Sequence, residues 1–133
     1  MKRIWLAGAM LVLAAVACNF SFSTASIDEA YMSVDEEGSA KAQSYAPNDT
    51  FFAIVELDNA PDDTELKAVW SVVEVPGEEA GTQLESVEGT SGSGQVWFKL
   101  ESDSPWPAGK YRVEIFLNDS KKETLDFEVI DPA

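Results

Sequence analysis

The chain of 133 residues has no histidine, one cysteine, and nine lysines and arginines against 24 aspartates and glutamates. Each shortage removes something. Without histidine the usual general base is missing, so Ser-His-Asp and Cys-His arrangements and conventional zinc sites cannot be assembled. One cysteine cannot close an intramolecular disulfide. A formal charge of -15 argues against nucleic acid and anionic lipid headgroups as partners, because both are bound through lysine and arginine neutralising phosphate. Long apolar runs are scarce as well. The longest, residues 4–16, is shorter than the roughly 20 residues that a membrane-spanning helix needs. The Gly-rich "GTSGSG" at 89–94 lacks the Lys-Ser/Thr ending of a phosphate loop and the spacing of a nucleophile elbow, and reads as a flexible hairpin connection. No catalytic residue and no cofactor is expected from this inventory.

What is present is enough for one domain: 45% of the residues are hydrophobic, sufficient for a single compact core. The first residues have the layout of a secretory signal. Met1, Lys2 and Arg3 supply the positive start, residues 4–16 form the apolar signal-peptide helix, and Ala15, Val16 and Ala17 place small side chains before Cys18. This Ala-Val-Ala-Cys site resembles the lipobox of bacterial lipoproteins. The resemblance implies that residues 1–17 are removed, and that Cys18 receives a thioether-linked diacylglycerol and becomes the new N-terminus. Its only cofactor-like group would then be this covalent lipid. Two or more acyl chains hold a protein stably, where one does so only marginally. Asn19 is not the aspartate that retains some lipoproteins at the inner membrane, so anchorage to either the cell membrane or an outer membrane, facing periplasm or exterior, fits the sequence. Residues 18–25 read as the lipidated end and a short tether, and the chain after the signal carries 24 acids against 7 bases.

From Ile27 onward the periodicity is two, with prolines and glycines as punctuation. In "GKYRVEIFLND" Tyr111, Val113, Ile115 and Leu117 share one face; in "QVWFKLES" Val96, Phe98 and Leu100 do; in "KETLDFEVI" Leu125, Phe127 and Val129 do. "FFAIVELD" at 51–58 is almost wholly apolar, and residues 64–75 place Leu66, Ala68, Trp70 and Val72 together. Weaker strands are expected at 27–34 and 83–88, with a short one at 41–45. About seven strands at such spacing predict an all-β antiparallel sandwich over residues 26–133. Gly109, Tyr111 and Val113 resemble the start of strand F in immunoglobulin-like domains, with Val113 where a disulfide cysteine would stand, and Trp70 falls in the matching strand C. Together with Phe52, Val55, Leu57, Asn59-Ala60-Pro61, Thr64, Leu66 and Ala68, the pattern is similar to Ig-like or fibronectin III-like modules of largely uncharacterised bacterial lipoproteins. That resemblance implies a sandwich without a disulfide and imports no chemistry.

Few candidate sites remain. Asp58, Asp62 and Asp63 in "LDNAPDDTE" could offer oxygen ligands to calcium. The plainer reading is a strand connection in which Pro61 and Asp62 set a turn, and no metal is expected. By alternation Phe52, Trp97 and Phe116 point away from the core and form a candidate recognition face, or else a satellite core beneath the N-terminal segment. Trp106, between Pro105 and Pro107, is expected to plug one end of the sandwich. Two functions fit. One is a lipid-anchored, non-catalytic Ig-like module, held to the membrane and binding an envelope protein or glycan or serving an envelope complex. The other is a small secreted inhibitor or ligand-binding sandwich, whose loops should carry fixed apolar residues; "PGEEAGTQ" and "GTSGSG" do not.

Overall fold

The computed structural model describes residues 25–131. Cys18, the signal segment and most of the tether lie outside the described residues. Eight strands follow in order: β1 (Ser26–Ser33), β2 (Ser44–Tyr45), β3 (Phe51–Asp58), β4 (Thr64–Glu74), β5 (Gln83–Ser91), β6 (Gly94–Leu100), β7 (Gly109–Leu117) and β8 (Ser120–Val129). They make two sheets, one of three strands ordered β1-β3-β6 and one of five ordered β2-β8-β7-β4-β5.

Alternation decides which side of each strand is buried. Phe51, Ala53, Val55 and Leu57 of β3 face Leu66, Ala68, Trp70 and Val72 of β4 and Tyr111, Val113, Ile115 and Leu117 of β7 across one shared core. β7 sits between β4 and β8, so both its edges are paired, and Tyr111, Val113, Ile115 and Leu117 are all buried against the core. The turn from β7 to β8 is Asn118 and Asp119, with φ of 48° and 69°. Two left-handed residues in succession give the turn whose twist matches a two-residue hairpin. Asn118 also ties this hairpin to the start of β4: its N–H donates to Glu65 O at 2.9 Å and its Oδ1 accepts from Glu65 N at 3.0 Å.

The chain changes sheets where local periodicity is silent. After β1 it loops through residues 34–40 and returns beside β1, with Ala42 N donating to Met32 O at 2.9 Å. It then crosses to the other sheet as β2, which runs parallel to β8. The short strand expected at 41–45 therefore contracts to two residues, because only Ser44 and Tyr45 pair in register with β8. The Gly-rich connection also departs from expectation. Gly89 to Ser91 extend β5, Gly94 opens β6, and these strands belong to different sheets. Gly92 and Ser93 thus form a corner between sheets, not a hairpin.

Gly109 shows why one glycine is required. Its φ is 153°, and a Cβ there would stand 2.5 Å from Glu74 O and 2.7 Å from Val75 Cγ2. Backbone at the end of β4 leaves no room for a side chain where β7 begins.

Candidate functional site

The two ends of the aromatic inventory are placed very differently. Phe51 lies at the centre of an internal group, with ring centroids 4.7 Å from Trp106, 4.7 Å from Phe127, 5.8 Å from Tyr111 and 6.3 Å from Trp70. Trp106 closes this end of the sandwich: its N–H donates to Pro47 O at 2.8 Å and its Nε1 to Asp49 O at 3.1 Å. The Tyr111 hydroxyl donates to Pro107 O, four residues upstream, at 2.5 Å, which fixes the corner leading into β7. Burial pushes the Tyr111 hydroxyl above its ordinary value, with Glu78 adding to the shift. Val113 and Trp70 are fully buried and paired across β7 and β4. Trp70 Nε1 is buried without a hydrogen-bond partner. Its ring is enclosed by aromatic neighbours and stabilises by apolar burial.

The acidic loop between β3 and β4 is organised by local bonds. Asn59 takes a left-handed φ of 53°, and Pro61 O accepts from Thr64 N at 3.0 Å and from Thr64 Oγ1 at 2.7 Å. Ala60 N donates to Ser93 Oγ at 2.9 Å, fastening the loop to the corner between β5 and β6. Asp62 packs on Gly92, where a Cβ would lie 2.5 Å from its Oδ1. Asp58, Asp62 and Asp63 are all exposed, and no metal-holding group of three or more acidic, histidine or cysteine side chains occurs among the described residues.

Of the three outward aromatics, the structure brings two together. Phe52 and Trp97 lie on the outer face of the three-stranded sheet with centroids 6.5 Å apart, edge to face. Phe116 belongs to the opposite sheet, half-buried, with the Lys67 ammonium 4.8 Å above its ring. Register shows what surrounds Trp97. Tyr31, Ile54 and Trp97 form one row across β1, β3 and β6; Glu29, Glu56 and Gln95 form the next; Ser33, Phe52 and Lys99 form the row on the other side.

This face is partly roofed. Ile54 points outward yet is fully buried, because Tyr31 and the loop at residues 34–40 close over it. Gly38, at φ 70°, approaches so tightly that a Cβ would meet Tyr31 Oη at 2.5 Å and Ile54 Cγ1 at 3.4 Å. Asp35 holds the loop: Ser39 donates to it from both N–H and hydroxyl, and these bonds keep its carboxyl below the usual value. At the far side Gln95 Nε2 donates to Glu37 O at 3.0 Å, so the loop reaches from β1 to β6. This loop covers Ile54, and Phe52 in the next row is half-buried. Trp97 stays 42% exposed, the only aromatic side chain among the large exposed hydrophobics of the described residues. A hollow beside it is lined by Asp28, Glu56, Asp58 and Gln95. Tyr31 and Glu56 escaped sequence reasoning, because only the strand register aligns them with Trp97.

Comparison with solved structures decides the fold. An immunoglobulin-like protein from Pseudomonas aeruginosa superposes with a TM-score of 0.57 at 17% identity, over 80% of this chain and 96% of that one. The fold is immunoglobulin-like. The same Ig-like sandwich also matches part of two larger proteins. One is an alkylpurine DNA glycosylase from Pseudomonas fluorescens bound to DNA containing an abasic site analogue, at a TM-score of 0.53 and 12% identity, over 80% of this chain and 30% of that one. The other is a β-glucosidase from Listeria innocua in complex with glucose, at 0.52 and 13%, over 80% of this chain and 16% of that one. At such identities these likenesses carry the fold alone. No family model matches the Ig-like chain, and no curated protein does.

Proposed function

We propose that the chain is a lipid-anchored, non-catalytic Ig-like module displayed outside the cytoplasmic membrane, where it binds an envelope protein or glycan or serves as an accessory subunit of an envelope complex. The observation that carries this reading is the pairing of a lipobox-like Ala15-Val16-Ala17-Cys18 with a sandwich that matches nearly the whole of a stand-alone Ig-like protein. The chain between Cys18 and β1 is short, so a lipid on Cys18 would hold the Ser26 end of the domain close to a membrane surface. The net negative charge favours a domain that stands off anionic headgroups and presents its far parts to other envelope components.

The test is biochemical fractionation. The full chain expressed in a bacterium should partition into the detergent phase and gain the mass of a diacylglycerol, whereas Cys18→Ser should stay aqueous and unmodified. A Cys18→Ser protein that still enters the detergent phase with unchanged mass would overturn the anchor. Turnover of any substrate from a broad hydrolase panel, lost on unfolding, would overturn the non-catalytic reading.

A further inference from the structure

We infer that the outer face around Trp97 is a docking site for a basic, extended polypeptide segment, with a lysine or arginine side chain of the partner seated on the Trp97 indole and paired with Glu56. This rests on the recognition reading above and names the partner's chemistry. Three observations converge on it.

First, two of the other outward rings, Tyr31 and Phe116, already carry a cation from their own chain. Lys41 Nζ lies 5.0 Å from the Tyr31 centroid and is held by Glu29 Oε2 at 2.6 Å; Lys67 Nζ lies 4.8 Å from the Phe116 centroid. An ammonium or guanidinium over an aromatic face is attracted by the ring quadrupole, most strongly for tryptophan. Trp97 is more exposed than either ring and has no such cation over it among the described residues. Lys99, the nearest lysine on the same strand face, is turned to Glu101 at 3.1 Å.

Second, the carboxylates are in place. Glu56 occupies the row next to Trp97, and with Asp28 and Asp58 it lines the adjoining hollow. None of the three takes part in an ion pair among the described residues, while Glu29, their neighbour, is spent on Lys41. Tyr31 senses this field: burial first, then Glu56 and Glu29, push its hydroxyl above the ordinary value. A chain of formal charge -15 adds long-range steering for a positive partner.

Third, the shape suits a polypeptide. Among the described residues β6 pairs only with β3, so its other edge offers backbone donors and acceptors to an added strand. Side chains alternating along that strand would fall over the outer face at the spacing of Gln95, Trp97 and Lys99. Exposed large apolar side chains elsewhere are single aliphatic residues, Val34, Leu84 and Ile130, too scattered for an extensive apolar interface.

The experiment uses the full chain in non-ionic detergent and a fluorescein-labelled peptide alternating threonine with lysine and arginine, read by anisotropy at two salt concentrations. A twin with glutamine in place of the basic residues, and cellopentaose as a neutral glycan, complete the set. The basic peptide should bind and the glutamine twin should not. Trp97→Ala should weaken binding about tenfold while Trp97→Phe keeps most of it. Glu56→Gln should weaken it about threefold and flatten the salt dependence, with Glu128→Gln on the other sheet unchanged. Equal losses for Glu56→Gln and Glu128→Gln with none for Trp97→Ala would reduce the effect to net charge and overturn the site. Binding of cellopentaose in place of the peptide, abolished by Trp97→Ala, would overturn the peptide and leave a recognition module standing. Binding of neither overturns this inference alone, since the anchor and the absence of turnover are judged by fractionation and the hydrolase panel.

Discussion

The inner aromatic group around Phe51 and the outer group around Trp97 are built from the same residue types and do opposite work. Inside, Phe51, Trp70, Tyr111 and Phe127 are enclosed on every side, and each polar handle but Trp70 Nε1 is spent on a backbone carbonyl. Outside, Phe52 and Trp97 meet edge to face, over a sheet that a single loop roofs in part. An Ig-like sandwich without a disulfide needs the first group in order to close. The second contributes little to closing it, so its exposure calls for an explanation outside stability. Substitutions in the two groups should therefore separate cleanly, and the largest effect belongs to the centre of the inner one.

Phe51→Ala removes the ring that five aromatic neighbours share, Tyr45 among them at 5.0 Å. The lost burial and the cavity left behind should cost about 4 kcal/mol, seen as a large fall in the urea midpoint. A loss below about 1 kcal/mol would mean that the inner group is not the keystone its geometry describes.

The second effect is alkaline. Tyr45 is buried, its hydroxyl donates to Ser33 O at 2.7 Å, and burial pushes it up to about 12. A folded-state value above the unfolded one means the neutral form is favoured in the native state. The resulting stability is complete below the unfolded value near 10 and is lost as pH rises towards 12. A rise from near 10 to about 12 corresponds to about 2.7 kcal/mol. Urea midpoints should fall steeply across this window for the native protein, and Tyr45→Phe should flatten the decline. An equal slope in both would assign alkaline unfolding to other groups.

The corner bond is smaller. Tyr111→Phe keeps the ring stacked on Phe127, with centroids 5.8 Å apart, and deletes only the bond to Pro107 O, so about 1 kcal/mol should be lost. An unaltered midpoint would show that the ring alone fixes the corner.

Much of the fold could be read from the chain because burial on a strand is a local, period-two property. Tyr111, Val113, Ile115 and Leu117 needed no partner to declare one face. What stayed hidden depends on pairing between distant segments. Nothing local says that Ser91 ends a strand of one sheet and Gly94 opens a strand of the other, or that residues 34–40 fold over Ile54. The candidate site divides in the same way. Alternation exposed Phe52 and Trp97, but it grouped them with Phe116, which sits on the other sheet under Lys67. Tyr31 was masked by the register shift between Ile27 and Glu29, which breaks the alternation of β1 just before that residue. Cys18 remains legible only as a motif, outside the described residues.

The smallest expected effect on stability carries the most information about function. Trp97→Ala should leave the urea midpoint within about 0.5 kcal/mol of the native protein, because a side chain still 42% exposed gives up little buried area on truncation. Phe52, half-buried and meeting Trp97 edge to face, should hold its place. A small change here beside a large one for Phe51→Ala would show that the outer indole is retained without helping the sandwich to fold. A loss of 2 kcal/mol or more would reverse the comparison, making Trp97 a lid over Phe52 and Ile54, a satellite core that happens to face outward.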